Sequence, residues 1–158
     1  MLRISKLTDY ATVVLGSLAA APEAQRTAAE LAAATHVAAP TVSKLLKQLQ
    51  RAHLVSSARG LKGGYRLARP AAEITAAQIV DALEGPLALT ACASTHHQCD
   101  LEATCRVGNA WQRVSLAIRR SLEEVTLADL AGLAPSPVRF EAFDARLRAT
   151  LATGSPKS

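Results

Sequence analysis

Residues 40–68 read PTVSKLLKQLQRAHLVSSARGLKGGYRLA, and the pattern changes partway through. Over 40–52 the apolar residues Val42, Leu45, Leu46 and Leu49 recur at steps of three and four, the inner face of a helix. Pro40 suits the first turn of that helix, where an N–H would have no partner anyway. Thr41, Ser43, Lys44, Lys47 and Gln48 are left largely outward. From His53 the helical period stops. HLVSSAR (53–59) and GGYRLA (63–68) each read as a short strand, and the basic, glycine-rich RGLKGG that joins them reads as a hairpin tip.

The preceding residues supply what this stretch packs on. Leu7, Tyr10, Ala11, Val14, Leu15 and Leu18 recur at helical spacing over about residues 5–20, and Pro22 ends that helix. Thr27 caps a second, short helix, TAAELAAAT, with Glu30 at the capping-box position. A turn through 35–39 leads into the helix of Val42. Two helices joined by a short turn, the second opening on small polar and basic residues, describe a helix-turn-helix. The strand, basic loop and strand that follow are a wing.

Downstream, Ile74, Ala77, Ile79, Val80 and Leu83 mark an amphipathic helix over 75–84, stopped by Gly85 and Pro86. Trp111, Val114, Ile118, Leu122 and Val125 form an apolar stripe on a long helix, beside a basic pair at Arg119 and Arg120. TLADLA (126–131) reads as a last short helix. RFEAFDARLR (139–148) reads as one loose helix, and TGSPKS (153–158) as a disordered end. The expected fold class is mainly α, a winged helix-turn-helix with an appended long dimerisation helix. The expected division is a DNA-binding domain at 1–85, a cysteine loop and dimerisation helix at 86–132, and a tail at 133–158.

Composition narrows the function. Apolar residues make up 49% of the chain, so a core can be buried, and alanine and leucine with few aromatics favour helices. Residues 1–70 carry ten Lys/Arg against three Asp/Glu, whereas 71–158 carry eight against ten. A basic N-terminal half is what a polyanion-binding surface needs. The apolar run 11–21 is too short to span a bilayer and has no cleavage-site context, so a cytoplasmic protein with no membrane partner is expected. No Walker-type phosphate loop appears, and no nucleophile–base arrangement has a substrate pocket implied beside it, so no enzyme is expected.

All three cysteines, Cys92, Cys99 and Cys105, fall in ACASTHHQCDLEATC (91–105). An odd number cannot pair internally, and a reducing compartment keeps them as thiols. Thiolates gathered beside a DNA-reading head point to a regulator that senses through a metal or an iron–sulfur cluster. The spacing C-x6-C-x5-C is wider than the paired C-x2-C knuckles of zinc ribbons, although a structural zinc stays an alternative. His96 and His97 lie between the cysteines and are chemically able donors.

DNA affinity should come from basic side chains and the start of the third helix. Thr41, Ser43, Lys44 and Lys47 are placed to enter the major groove. Arg59 and Lys62 at the wing tip are candidates for a minor-groove or backbone contact. One head reads only a few base pairs, so a homodimer on a near-palindromic operator is expected. The stripe Trp111, Val114, Ile118 and Leu122 supplies an apolar surface for that dimer.

Three blocks, SKLTDYA (5–11), LVSSARGLKGGYRLA (54–68) and the cysteine triplet followed by the tryptophan helix, resemble the IscR/NsrR-type (Rrf-type) winged-helix regulators. The likeness covers about residues 1–132. PTVSKLLKQL, ALEGPLALTAC (82–92) and CRVGNAWQR (105–113) resemble the subgroup that regulates SUF iron–sulfur assembly operons. The resemblance implies a repressor holding a 2Fe-2S or 4Fe-4S cluster on Cys92, Cys99 and Cys105. IscR-like relatives have a histidine three positions after the third cysteine, where this chain has Gly108. NsrR-like relatives use an N-terminal aspartate from the other subunit, and Asp9 falls at the matching place. His96 or His97 are the alternative fourth ligands. A metal-free thiol switch, or a regulator answering nitric oxide or oxygen on the same fold, is the rival reading. A cluster-free DNA-binding or chromosomal protein is a further one.

Overall fold

The computed structural model describes residues 4–87 and 108–133. Helix starts are set by hydroxyls. Ser5 accepts the Thr8 N–H ahead of α1 (Lys6–Ala19). Reciprocal capping boxes join Thr27 to Glu30 ahead of α2 (Ala28–Thr35) and Thr75 to Gln78 ahead of α4 (Ala76–Glu84). A third joins Thr126 to Asp129 ahead of the short α6 (Leu127–Leu130). The helix of the decisive stretch, α3 (Ala39–Arg51), has Pro40 in its first turn and no side-chain cap. Strands β1 (Val55–Ala58) and β2 (Gly64–Leu67) pair antiparallel, with Val55 opposite Leu67 and Ala58 opposite Gly64. The long helix α5 runs Gly108–Glu124. The described architecture is mainly helical with one two-stranded wing, the expected class.

The core forms where the apolar faces meet. Val42, Leu45, Leu46 and Leu49 of α3 are completely buried against Val14, Leu15 and Leu18 of α1 and Leu31 of α2. Burying each such side chain stabilises by roughly 1.5–3 kcal/mol. Tyr10 departs from its expected place, being 38% exposed. Thr8, Ala11, Val14, Leu15 and Leu18 set the buried face of α1, and Tyr10 projects one residue of helical rotation away from Ala11.

The short C-terminal helix belongs to the same core. Leu127 is fully buried, its N–H donating to the Ile74 carbonyl at 2.7 Å while the Ala76 N–H donates to the Val125 carbonyl at 2.8 Å. This backbone pair stitches the end of α5 to the start of α4. Arg119 adds a second tie, donating from both terminal nitrogens to Asp81 at 3.1 and 2.7 Å and from Nε to Glu123 at 3.2 Å. Asp81 foremost raises the already high guanidinium pKa further. The sequence reading of Arg119 and Arg120 as one basic patch is therefore corrected, because Arg119 is spent on anchoring α5 to α4.

α3 hands the chain to the wing through a Schellman turn. The Leu54 N–H donates to the Leu49 carbonyl and the His53 N–H to the Gln50 carbonyl, while Leu49 and Leu54 pack in the core. The position between them is left-handed, and His53 holds it at φ 57° where glycine is the unstrained residue. His53→Gly is expected to stabilise the protein by about 0.5–1 kcal/mol, after the extra entropy of the unfolded glycine is subtracted. Equilibrium urea unfolding checks this, and an unchanged or lower midpoint would contradict the strain.

Candidate nucleic-acid interface

The wing is held on both strands, by α3 on one and by Arg26 on the other. On its inner strand the Ser57 hydroxyl accepts from Gln50 Nε2 of α3 at 2.9 Å, joining wing to reading helix. On the other strand the Arg26 N–H donates to the Tyr65 carbonyl at 2.9 Å, and the Tyr65 N–H to the Arg26 carbonyl at 2.8 Å. Arg26 itself is braced by Nη1 donating to Ser17 Oγ of α1 at 3.1 Å. A Cβ at Gly64 would meet the Arg26 backbone at 2.9 Å, so only glycine permits this close approach. Tyr65 packs on the core.

On this frame the sequence-selected residues fall into two groups. Thr41 and Ser43, in the first turns of α3, are half-buried, with their hydroxyls beside an uncapped helix start. Free N–H groups there can donate to a phosphate oxygen in place of water. Lys44 and Lys47 are fully outward on the same helix. Gln48, read as outward, is half-buried, and its Oε1 is a buried atom without a partner. Arg59 leaves the end of β1 and Lys62 stands at the hairpin tip, both exposed. Among the described residues, Lys44, Lys47, Arg59 and Lys62 are in no ion pair.

The charge along the chain follows the same elements. Residues 31–72 contain no Asp or Glu, yet hold Lys44, Lys47, Arg51, Arg59, Lys62, Arg66 and Arg69. Residues 1–30 balance Arg3, Lys6 and Arg26 against Asp9, Glu23 and Glu30. The positive surplus of the N-terminal half therefore comes from α3, the wing and Arg69 just after it. The contribution of Arg26 as a wing brace had no sequence signal, since its bridge joins segments far apart in the chain.

A second feature lies behind this face. Glu84, the last residue of α4, accepts the Ser5 N–H at 2.9 Å and the Thr8 hydroxyl. These two donors, the hydroxyl foremost, hold its carboxyl below the ordinary carboxylate range. The clasp is thus made while Glu84 is ionised and is given up as pH falls through that lowered value. It fixes the first turn of α1, where Asp9 is exposed, against the end of α4. Cys92, Cys99, Cys105, His96 and His97 lie outside the described residues. Among the described residues no group of three or more His, Cys, Asp or Glu could hold a metal ion. On α5, Ser115 and Ala117 face the body. Val114, Ile118 and Leu122 are half-buried and Trp111 is 45% exposed. Among the described residues no helix is long and apolar enough to cross a membrane.

Comparison with known proteins agrees with this architecture. The family profile Rrf2, described as an iron-dependent transcriptional regulator, matches residues 4–132. A Mycobacterium tuberculosis (H37Rv) protein named among the HTH-type transcriptional regulators, Rv1287, is 32% identical over 158 residues, covering 99% of this chain and 98% of its own. The structure of CymR, the global cysteine regulator of B. subtilis, superposes with a TM-score of 0.65 at 29% identity, covering 85% of this chain and 99% of that one. T. potens IscR shares the fold, with a TM-score of 0.62 at 23% identity over 99% of this chain and 94% of that one. This chain, a DNA-binding regulator rather than an enzyme, belongs to the Rrf2 family of winged-helix transcriptional regulators.

Proposed function

We propose that the protein is a homodimeric, cytoplasmic repressor that senses iron–sulfur status and controls SUF-type iron–sulfur assembly genes. In this reading residues 1–85 read DNA, 86–132 sense and dimerise, and 133–158 form a tail. The observation that carries it is the position of the cysteine segment. It begins just after Glu84, clasped to α1, and ends at α5, tied to α4 through Arg119 and Asp81. Both ends are thus anchored on the DNA-reading head, so a change within the segment has a direct path to it.

The donor set suits an iron–sulfur group. Cys92, Cys99 and Cys105 are soft thiolate donors, and the family description itself is iron-dependent. When bound, such a group supplies iron–thiolate bonds that are made or lost with iron supply and oxidation. The three thiols hold it in deprotonated form, and the fourth donor is the partner subunit's Asp9, an exposed carboxylate on a turn that Glu84 holds in place. His96 and His97 are the alternatives. The SUF assignment is supported by ALEGPLALTAC and CRVGNAWQR. One observation favours a second reading, a metal-free thiol switch: the chain is 29% identical to the B. subtilis cysteine regulator and 28% identical to S. aureus CymR, whose oxidised form has also been solved.

Iron and sulfide assays on protein purified without oxygen separate the two. Wild type is expected to carry iron and sulfide, and Cys92→Ala, Cys99→Ala and Cys105→Ala each to lose most of both. Asp9→Ala is expected to change the visible spectrum with the helical signal intact. Full metal in all three cysteine variants would contradict the ligand set. A colourless wild type whose DNA binding still answers oxidant would establish the thiol switch.

The half-exposed stripe of α5 is expected to form the dimer. Ile118→Asp with Leu122→Asp should yield monomers in analytical ultracentrifugation, since the apolar burial lost is roughly 1.5–3 kcal/mol per side chain. A persistent dimer would move the interface elsewhere.

On DNA, Lys62→Ala should weaken binding to all sequences alike and lower the log–log salt slope by about 1. Lys44→Ala should relax preference at one operator position per half-site. Anisotropy titrations of selected and scrambled duplexes across a salt series check both. Wild-type behaviour in both variants would overturn the assignment of α3 and wing.

A further inference from the structure

Leu61 is the most exposed of the large apolar side chains described, standing wholly in solvent. It is the second residue of the turn Gly60–Leu61–Lys62–Gly63, closed by the Gly63 N–H donating to the Gly60 carbonyl at 2.9 Å. That turn has little freedom to fold the leucine back. Gly60 holds φ 109°, a conformation that side-chain-bearing residues rarely adopt. A Cβ on Gly63 would fall on the Ala58 carbonyl oxygen. The strands beneath are pinned by Gln50 on one side and Arg26 on the other. The wing is therefore a braced arm that carries an aliphatic group at its end.

A single exposed leucine on a protein surface ordinarily means nothing. This one differs in its neighbours. Arg59 and Lys62 flank it within the acid-free run 31–72, so the tip attracts a polyanion. One side chain is also far too small a patch to hold a protein partner. With α3 in the major groove, a narrow hairpin tip on the same face meets the adjacent minor groove, which is about 6 Å wide.

We infer that Leu61 reads the minor groove of the operator, selecting A·T over G·C pairs beneath the wing through apolar contact. The inference rests on the assignment of α3 and wing as the DNA-reading elements. In the minor groove an A·T pair shows only acceptors, whereas G·C adds the guanine 2-amino donor. Leucine methyl groups fit against the sugar walls and the adenine edge. An amino group pressed against them would lose its water and gain no acceptor. Arg59 and Lys62 grip phosphates on either side, which adds affinity without choosing a base pair.

The test uses the full-length protein and duplexes that the wild type enriches from a random-sequence pool. Each outer-flank pair is replaced in turn by inosine·cytosine or guanine·cytosine, which look alike in the major groove and differ by the minor-groove amino group. At the pair beneath the wing, wild type is expected to bind the inosine duplex about tenfold more tightly. Leu61→Ala should reduce that ratio to below about twofold, while Lys62→Ala weakens both duplexes alike and keeps it. Because Leu61 is solvent-exposed, its replacement leaves the core intact. Equal wild-type binding of the two duplexes at every flank pair would overturn the inference. A preference that survives in Leu61→Ala would overturn it too, assigning selectivity to groove shape. A wild type that enriches no sequence would overturn the DNA-reading assignment and this inference together.

Discussion

The buried row Val42, Leu45, Leu46 and Leu49 is the constraint on which the DNA-facing side depends. A helix of 13 residues with four side chains locked in a core has no rotational freedom left. Its other side must then carry Lys44 and Lys47. The same row determines where the helix stops, because Leu49 closes the Schellman turn with Leu54. That turn sends the chain into the wing. Removing a buried leucine of this kind costs roughly 2–5 kcal/mol, of the order of a small domain's whole stability. Reading helix and wing are therefore one packed unit, with Gln50–Ser57 and the Arg26–Tyr65 bridge fixing the angle between them.

Behind that unit, α4 acts as the junction. Its end grips α1 through Glu84, its Asp81 grips α5 through Arg119, and its start is stitched to the approach of α6. The cysteine segment leaves from one of these ties and returns toward another. In the proposed regulator this is the physical route from sensor to reading face: both ties, Glu84 and Asp81, lie in the C-terminal half of α4, a helix that packs directly on α1 and α3. The two ties beside the cysteine segment are side-chain hydrogen bonds and a part-exposed ion pair, not buried core. Such contacts can be remade at small cost, which suits a switch.

Much of this was legible in the sequence because it is local. Apolar spacing identified the inward face of α3, Thr27 and Glu30 announced the start of α2, and the glycines of the tip marked the wing. What failed was tertiary. Arg119 beside Arg120 looks like a basic patch in one dimension, and only the packing of α5 on α4 places Asp81 beneath it. Tyr10 shares the spacing of the α1 stripe but not its face. Arg26 pairs with Tyr65 across a long stretch of chain, and no periodicity signals a partner so remote. The acid-free run 31–72 is plain in the sequence, and its value became clear when six of its seven cations were found on one helix and one hairpin. The cysteines are legible only as composition and spacing, so their chemistry rests on donor type.

The central claim is that the cysteine segment governs the DNA-reading face. The direct test is operator affinity of one preparation in two states: protein purified without oxygen, and the same protein after chelation has stripped its iron, both titrated by anisotropy onto a duplex selected by the wild type. The account predicts affinities that differ by at least about tenfold, or 1.4 kcal/mol, with the difference abolished when Cys92, Cys99 and Cys105 are all replaced by alanine. Equal affinity in the two states, or a difference that persists without the cysteines, would contradict it.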